Sequence, residues 1–509
     1  MKPTRVAVLA ALGMFLSSVS VYSLTPPGGF GRGGDAPPPA VPEIAPPAPL
    51  VADTQEISHF TAGGNVMIEG RVGNPRLARS SSGETFVLVE ARGADGAAAQ
   101  TAAPANLALV IDRSGSMKGA RIRNAVAAAT SAVDRLDDGD VVSVVTFDTQ
   151  TQVVVPPTTI APGARERVNA AIRGIALGGD TCISCGIEEG MTLLAQTPGK
   201  VSRMILLSDG DANHGVRDVP GFRGIAQRAQ GRGVSITTIG VDVDFNEKIM
   251  TAIAQDSNGR HYFVEDAVGL GKVFEEEARS LTRTVASNAE ATLDLAPGVE
   301  LVRVFDRAFR RAGSQVVVPL GSFSGAEAKT VLLEVRVPAG REGVTPVASV
   351  ELGYRDLVTG SDGRCGGKLA LEVVGDAARA SDLDAVVSGR LQRSETAAVL
   401  KDANSLFEQG KLDEARRRLT ARGQALRAVA DKAEKAAPSA RAADVNRDFD
   451  RQLAAVDQAN QGFAAPQFAT PPPGPAGAAA AAPAAPAQDT RAGKSAVRKN
   501  AEQALPFGF

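Results

Sequence analysis

Two short apolar runs in the middle of the chain each stop on a carboxylate, and that pairing constrains the fold more than any other feature. Asn106-Leu107-Ala108-Leu109-Val110-Ile111 has no charge and suits a buried central strand, and it gives way at once to Asp112-Arg113-Ser114-Gly115-Ser116-Met117. Arg203-Met204-Ile205-Leu206-Leu207 ends in the same manner on Ser208-Asp209-Gly210-Asp211. Both carboxylates therefore fall at the carboxyl ends of strands, where open α/β sheets place their ligands. Around these runs, from about 105 to 286, apolar strand segments alternate with helical patterns, which predicts a doubly wound, mostly parallel sheet covered by helices on both faces.

The flanks follow a different period. Val66 to Val72 and Thr85 to Glu90 alternate apolar and polar residues, with the Gly73-Asn74-Pro75 and Ser80 to Gly83 stretches as turns. Strands alone return after the α/β stretch: Ala291 to Leu295, Val299 to Phe305, Gln315 to Leu320, Thr330 to Val337, Val347 to Tyr354 and Leu369 to Val374. The early strands are too few to close a core, so the α/β domain is expected to be inserted in, or followed by, a β-sandwich built from both flanks. The boundaries predicted on this basis are 53–100 for the first sandwich strands, 101–286 for the α/β domain and 287–376 for the remaining sandwich. A helical region, 377–460, comes next. Within it Ala398 to Ala415 resembles a single tetratricopeptide helix-turn-helix with Gly410 at the turn, but no second copy exists to build a groove.

Both ends of the chain read differently. Residues 1–24 open with Lys2 and Arg5 and continue as an uncharged run, Val6 to Leu24, the pattern of a signal peptide or an N-terminal anchor, with membrane contact through residues 6–24 only. Pro-rich and Gly-rich composition marks 25–52 as a linker, and Pro-rich and Ala-rich composition marks 461–509 as a disordered tail. The chain is expected to be exported, to a periplasmic, cell-surface or secreted location.

Composition narrows the chemistry. With 55 basic against 57 acidic residues the formal charge is −2, so no excess of positive charge exists for nucleic-acid binding. Three histidines, His59, His214 and His261, leave little for a His triad or a multi-His metal site. Absence of Trp and the presence of only three Tyr argue against binding by stacking. Gly29 to Gly34 fits a dinucleotide fingerprint but follows no strand, and Gly493-Lys494-Ser495 lacks the first glycine of a phosphate loop.

What remains is a set of oxygen donors: Asp112, Ser114, Ser116 and Asp209, joined by Thr181 from the glycine-rich loop Leu177-Gly178-Gly179-Asp180-Thr181. Hard oxygens with no soft ligand suit Mg²⁺, Mn²⁺ or Ca²⁺, and two carboxylates with three hydroxyls leave a coordination position for water or an incoming carboxylate. The Asp-x-Ser-x-Ser string, with the later Thr and Asp, resembles the metal-ion-dependent adhesion site (MIDAS) of von Willebrand factor type A (VWA) domains. The Ser235 to Asp242 strand and the Ala254 to Val264 and Phe274 to Glu277 segments resemble the closing elements of that family's bacterial and chloride-channel-regulator branch. The resemblance implies direct coordination by Ser114, Ser116 and Thr181, with Asp112 and Asp209 acting through water, and a protein ligand presenting Asp or Glu. Sandwich strands flanking such a domain are also similar to inter-alpha-trypsin inhibitor heavy chains; the zinc-protease domain of some chloride-channel regulators is missing. The expected function is thus a non-enzymatic, metal-dependent protein-binding module for adhesion or complex assembly. The alternative is an enzyme, either thiol-redox through Cys182 and Cys185 or metal-assisted with His214 as base. Cys182-x-x-Cys185 is open to two readings, a disulfide that stiffens the loop or a redox switch, and the odd count of three leaves Cys365 over.

Overall fold

The computed structural model describes residues 57–94, 104–436, 439–463 and 486–508. The expected signal peptide or anchor (1–24), the linker (25–52) and residues 464–485 of the expected tail lie outside the described residues.

The first described strands are β1 (His59–Gly63), β2 (Val66–Val72), β3 (Arg76–Ala78) and β4 (Glu84–Gly93). In β2 the alternation seen in the sequence becomes burial, with Val66, Ile68 and Val72 facing inward. The chain then enters the α/β unit. Its strands and helices are β5 (Ala105–Asp112), α1 (Ala120–Asp134), β6 (Val141–Phe147), β7 (Thr151–Thr159), α2 (Ala164–Arg173), α3 (Ile183–Leu194), β8 (Val201–Ser208), α4 (Val219–Gly231), β9 (Ser235–Val241), α5 (Glu247–Asp256), β10 (His261–Val264) and α6 (Ala267–Thr282). The sheet order is β10-β9-β8-β5-β6-β7, parallel throughout except for the edge strand β7. Every residue of β5 is buried, as its unbroken apolar run requires of a central strand. Apolar side chains of α1, α2 and α6 pack on one face of the sheet, and those of α3, α4 and α5 on the other. The strand β7 was not read from the sequence; it carries Pro156-Pro157, which a sheet edge tolerates because it needs fewer ladder donors.

From β5 the chain moves to β6 and β7 on one side and then returns to β8 on the other, so the order reverses between β5 and β8. Asp112 ends β5 and Asp209 immediately follows β8, which sets both at the sheet's switch point.

Six further strands of the second flank, β11 (Thr284–Leu295), β12 (Glu300–Val304), β13 (Arg310–Ala312), β14 (Gln315–Ser324), β15 (Ala328–Arg336) and β16 (Gly343–Asp356), are followed by β17 (Asp362–Val374). They share two sheets with the first flank, in the orders β1-β2-β4-β15-β12 and β13-β14-β11-β16-β17-β3. Strand β4 pairs antiparallel with β15 from Glu84↔Arg336 to Arg92↔Ala328, and β3 pairs parallel with β17. The inner faces meet in one core that includes Ile68, Val87 and Val89 from before the α/β unit and Leu293, Phe323 and Leu333 from after it. The α/β unit is thus inserted in chain order into the sandwich.

The helical region comprises α7 (Ala385–Glu408), α8 (Leu412–Ala436), α9 (Ser439–Gly462) and α10 (Arg491–Gly508). Between α7 and α8, Gly410 takes φ +77°, a left-handed conformation that closes the helix and suits a residue without a side chain. These helices pack on one another, with Phe407 stacked on Phe463 at 4.2 Å, and on the sandwich, where Val387 meets Leu88, Phe305 and Leu332. The expectation of a disordered tail over 461–509 fails at its far end. Arg491–Gly508 is a helix whose Val497, Ala504 and Phe507 enter the helical core. Its apolar stripe is made largely of alanine, so the adjoining Pro and Ala composition hid it. Gly493-Lys494-Ser495, the string compared with a phosphate loop, lies inside this helix.

Since three strands of one sheet come from residues 59–93, the segment 284–376 expressed alone should lack folded structure, giving collapsed proton NMR dispersion. A well-dispersed spectrum from that segment would contradict the interleaved core.

Candidate functional site

The site is built by two strand ends and two loops clasped together. Beyond β5 the chain makes a short helical turn at Gly115–Met117 before α1. The cap of that turn is Ser114 and the cap of α1 is Gly119, and neither makes a side-chain capping hydrogen bond. Capping, the ordinary use of a serine at such a place, is therefore not what occupies the hydroxyls of Ser114 and Ser116. Their oxygens lie 3.0 Å apart, and Ser116 donates to Asp209 Oδ1 at 2.7 Å.

Asp112, fully buried, is held by two donors. Its Oδ1 accepts from the Ser114 N–H at 2.8 Å and its Oδ2 from the Ser208 hydroxyl at the end of the neighbouring strand. Burial nevertheless dominates and pushes its carboxyl up to about 6, against the lowering effect of the Ser114 and Ser208 bonds. Asp209 is also buried, and burial raises its carboxyl against the opposing influence of Ser116 and Arg121. The Arg121 guanidinium donates to Asp209 Oδ2 at 2.8 Å and to the Ser116 carbonyl at 2.9 Å, and its other nitrogens bond Asp242 Oδ2.

The glycine-rich loop completes the arrangement. Gly178 N–H donates to the Arg113 carbonyl at 2.7 Å, and Gly115 N–H to the Gly179 carbonyl at 3.0 Å, so the two loops clasp each other. At Gly178 a Cβ would stand 1.8 Å from Asp148 Oδ2, an approach only glycine permits. Thr181 is fixed on both sides, its N–H donating to Asn213 Oδ1 at 2.7 Å and its carbonyl accepting from Asn213 and His214 N–H groups. A point one bond from the Gly210 Cα lies 3.5 Å from Ser116 Oγ and 3.7 Å from Thr181 Oγ1, so these hydroxyls look onto one space. All five candidate residues, Asp112, Ser114, Ser116, Thr181 and Asp209, converge here, with Ser116 exposed at the mouth and both carboxylates buried at the base.

This donor set fits a hard divalent cation: the oxygens are gathered, the carboxylates stand in a buried place that favours neutralisation, and three of the groups are hydroxyls. Among the described residues no group of three or more His, Cys, Asp or Glu side chains is arranged as a metal cluster, which is consistent with a site that depends on Ser and Thr oxygens.

The cysteines resolve into a pair and a single residue. Cys182 and Cys185 form a disulfide across the first turn of α3, with Cys182 buried one residue from Thr181, whereas Cys365 is free on β17. His214, considered as a base, bonds exposed Asp180 at 3.1 Å. Sequence reading missed three participants. Ser208 stood next to a recognised residue, and Asp242 follows a third strand in the manner of the other two carboxylates, so both left a signal. Arg121 left none, because its role depends on which strand ends the fold sets around it.

The Asp112 carboxyl is raised in the folded chain, so the folded state holds that proton more tightly than the unfolded state. Its contribution to stability is present below the ordinary carboxylate range and lost as pH rises through about 6. In chelator at pH 7, Asp112→Asn should therefore be more stable than the parent by on the order of 1–2 kcal/mol in denaturant unfolding, with the gap closing towards pH 4. A less stable variant at pH 7 would contradict this electrostatic reading.

Comparison with known proteins agrees with this geometry. Residues 106–276 match the family model of the von Willebrand factor type A domain. The uncharacterized protein sll0103 of Synechocystis sp. is 27% identical over 268 residues, covering 50% of this chain and 63% of that protein. Human inter-alpha-trypsin inhibitor heavy chain H4 is 27% identical over 200 residues, covering 36% of this chain and 21% of that one. The chain thus spans less than two thirds of either relative. Among solved structures, a von Willebrand factor type A protein from Catenulispora acidiphila superposes with a TM-score of 0.64 at 19% identity, over 80% of this chain and 91% of that one, a likeness of fold. A doubly wound sheet with oxygen donors at its switch point and a matching family model together identify residues 106–276 as a von Willebrand factor type A domain.

Proposed function

We propose that the chain is an exported protein-binding module for adhesion or complex assembly, which captures an acidic residue of a protein partner through a divalent cation held by Asp112, Ser114, Ser116, Thr181 and Asp209. VWA domains are typically protein-interaction modules, and residues 106–276 match that domain. The observation that carries the reading is the convergence of five oxygen-bearing side chains from three separate segments on one space that opens to solvent at Ser116.

Mg²⁺, or Mn²⁺ or Ca²⁺ in its place, would supply a Lewis-acidic position for a guest carboxylate. The chain's own residues do the rest. Ser114, Ser116 and Thr181 offer neutral oxygens, so the site does not cancel the cation's charge and leaves attraction for an incoming acid. Asp112 and Asp209 contribute charge from the base, oriented by Ser208 and Arg121. Leu177, an exposed side chain beginning the glycine-rich loop, gives the rim an apolar contact for the partner. The disulfide between Cys182 and Cys185 braces the start of α3 next to Thr181. On this reading the module has no enzymatic role. Export rests on the pattern of residues 1–24; no helix among the described residues is long and apolar enough to cross a membrane.

Titration calorimetry with MgCl₂ and MnCl₂ tests the reading. Binding should be saturable, and Ser116→Ala or Thr181→Ala should weaken it by roughly tenfold or more, equivalent to about 1.4 kcal/mol. A partner retained from envelope extract in Mg²⁺ should be released by chelator and not retained by Ser116→Ala. Absence of heat with either metal, or retention of the partner that is indifferent to chelator, would overturn the assignment.

A further inference from the structure

The C-terminal helix α10 lies on the α/β unit beside the candidate site, and its cationic face meets the acidic residues that follow β9 and β10. Arg491 pairs with Asp242, Lys494 with Asp244 at 2.9 Å, Arg498 with Glu247 at 3.0 Å and Lys499 with Glu265 at 2.9 Å. The opposite stripe of the helix, with Val497 and Ala504, is seated in the helical core, so the helix joins that core to the α/β unit.

One of these pairs is continuous with the site. Asp242 takes Arg491 on Oδ1 and Arg121 on Oδ2, and Arg121 in turn donates to Asp209 Oδ2. The backbone of Asp242 is held at φ +65°, an unusual conformation for a residue with a side chain, which fixes its carboxylate between the two guanidinium groups. A line of alternating charge therefore runs from α10 through Asp242 and Arg121 to Asp209 and the Ser116 hydroxyl.

We propose that α10 is an electrostatic strap that weakens divalent-cation binding at the site, with Arg121 as the positioning residue through which it acts. The inference rests on the cation-dependent reading above. Arg121 already neutralises one of the two carboxylates at the base, so an arriving cation contends with a guanidinium for Asp209. Arg491 draws on the carboxylate that would otherwise belong to Arg121 alone, which leaves Arg121 more firmly on Asp209. If Arg491 leaves, Asp242 becomes the stronger partner for Arg121, and Asp209 is freed for the cation. Withdrawal of the other α10 cations from the rim acts in the same direction, because each lowers the local positive potential. By linkage the effect is mutual: the cation loosens the strap to the extent that the strap weakens the cation. A helix joined to the helical core would thereby report, or control, whether the site is loaded.

The test is a Mn²⁺ titration of the full chain by calorimetry at low salt, comparing the parent with Arg491→Gln, Arg491→Gln/Lys494→Gln, Arg121→Gln and the combination of Arg121→Gln with Arg491→Gln. Lys368→Gln on β17 in the sandwich removes one positive charge, as Arg491→Gln does, and serves as control for that single variant. The α10 double variant should bind Mn²⁺ roughly fivefold or more tightly, the control should match the parent, and the gain should shrink at high ionic strength. With Arg121→Gln in place, adding Arg491→Gln should change little, since the relay is already cut. In the parent, amide exchange along α10 should quicken when Mn²⁺ is added. Equal affinity across parent and variants would overturn the strap while leaving the cation reading intact, and absence of Mn²⁺ binding in every protein would overturn both. An effect of Arg491→Gln that persists in full on the Arg121→Gln background would overturn the assignment of Arg121.

Discussion

Two buried carboxylates standing at adjacent strand ends govern this structure. Asp112 and Asp209 are fully or almost fully removed from water, and burial drives both towards the protonated form. A fold does not keep two such groups at the centre of its sheet without compensation. Here the compensation is specific and incomplete: a backbone N–H and a hydroxyl for Asp112, a hydroxyl and a guanidinium for Asp209. A divalent cation would complete it, and the hydroxyls of Ser114, Ser116 and Thr181 stand where they can share in doing so. The energetic strain of the base and the proposed function of the mouth are the same fact seen from two sides.

The rest of the fold serves the placement of these groups. The central strands fix the two carboxylates, the clasp between the Arg113 to Met117 and Leu177 to Thr181 loops brings the hydroxyls to them, and the disulfide stiffens the start of α3. Both ends of the α/β unit run into the sandwich, each of whose sheets joins strands from before the unit to strands from after it, so the unit is anchored at two points.

The parts of this architecture visible in the sequence were those written in local pattern. The strand ending at Asp112 declared itself by an apolar run followed by polar residues of one chemical kind, and the alternation in Val66 to Val72 marked a half-buried strand. The need of the early strands for partners was also visible, as a deficit, although the register of β4 on β15 across more than two hundred residues was not. Arg121 and Asp242 escaped notice because their meaning is created by tertiary neighbours. The helix α10 escaped for another reason. Alanines supply much of its buried stripe, and next to Pro-rich sequence such a stripe looks like low complexity until the helices that receive it are in view. The five candidate residues, by contrast, stood out by type and order, and their side chains lie near one another in the structure.

Anomalous diffraction from crystals grown with Mn²⁺ tests the central claim most directly. One strong manganese peak is expected at the switch point of the sheet, within about 2.2 Å of the Ser114 and Ser116 hydroxyl oxygens, and it should be lost in Ser116→Ala crystals. A map without a manganese peak between the ends of β5 and β8, from protein that is otherwise well ordered there, would contradict it.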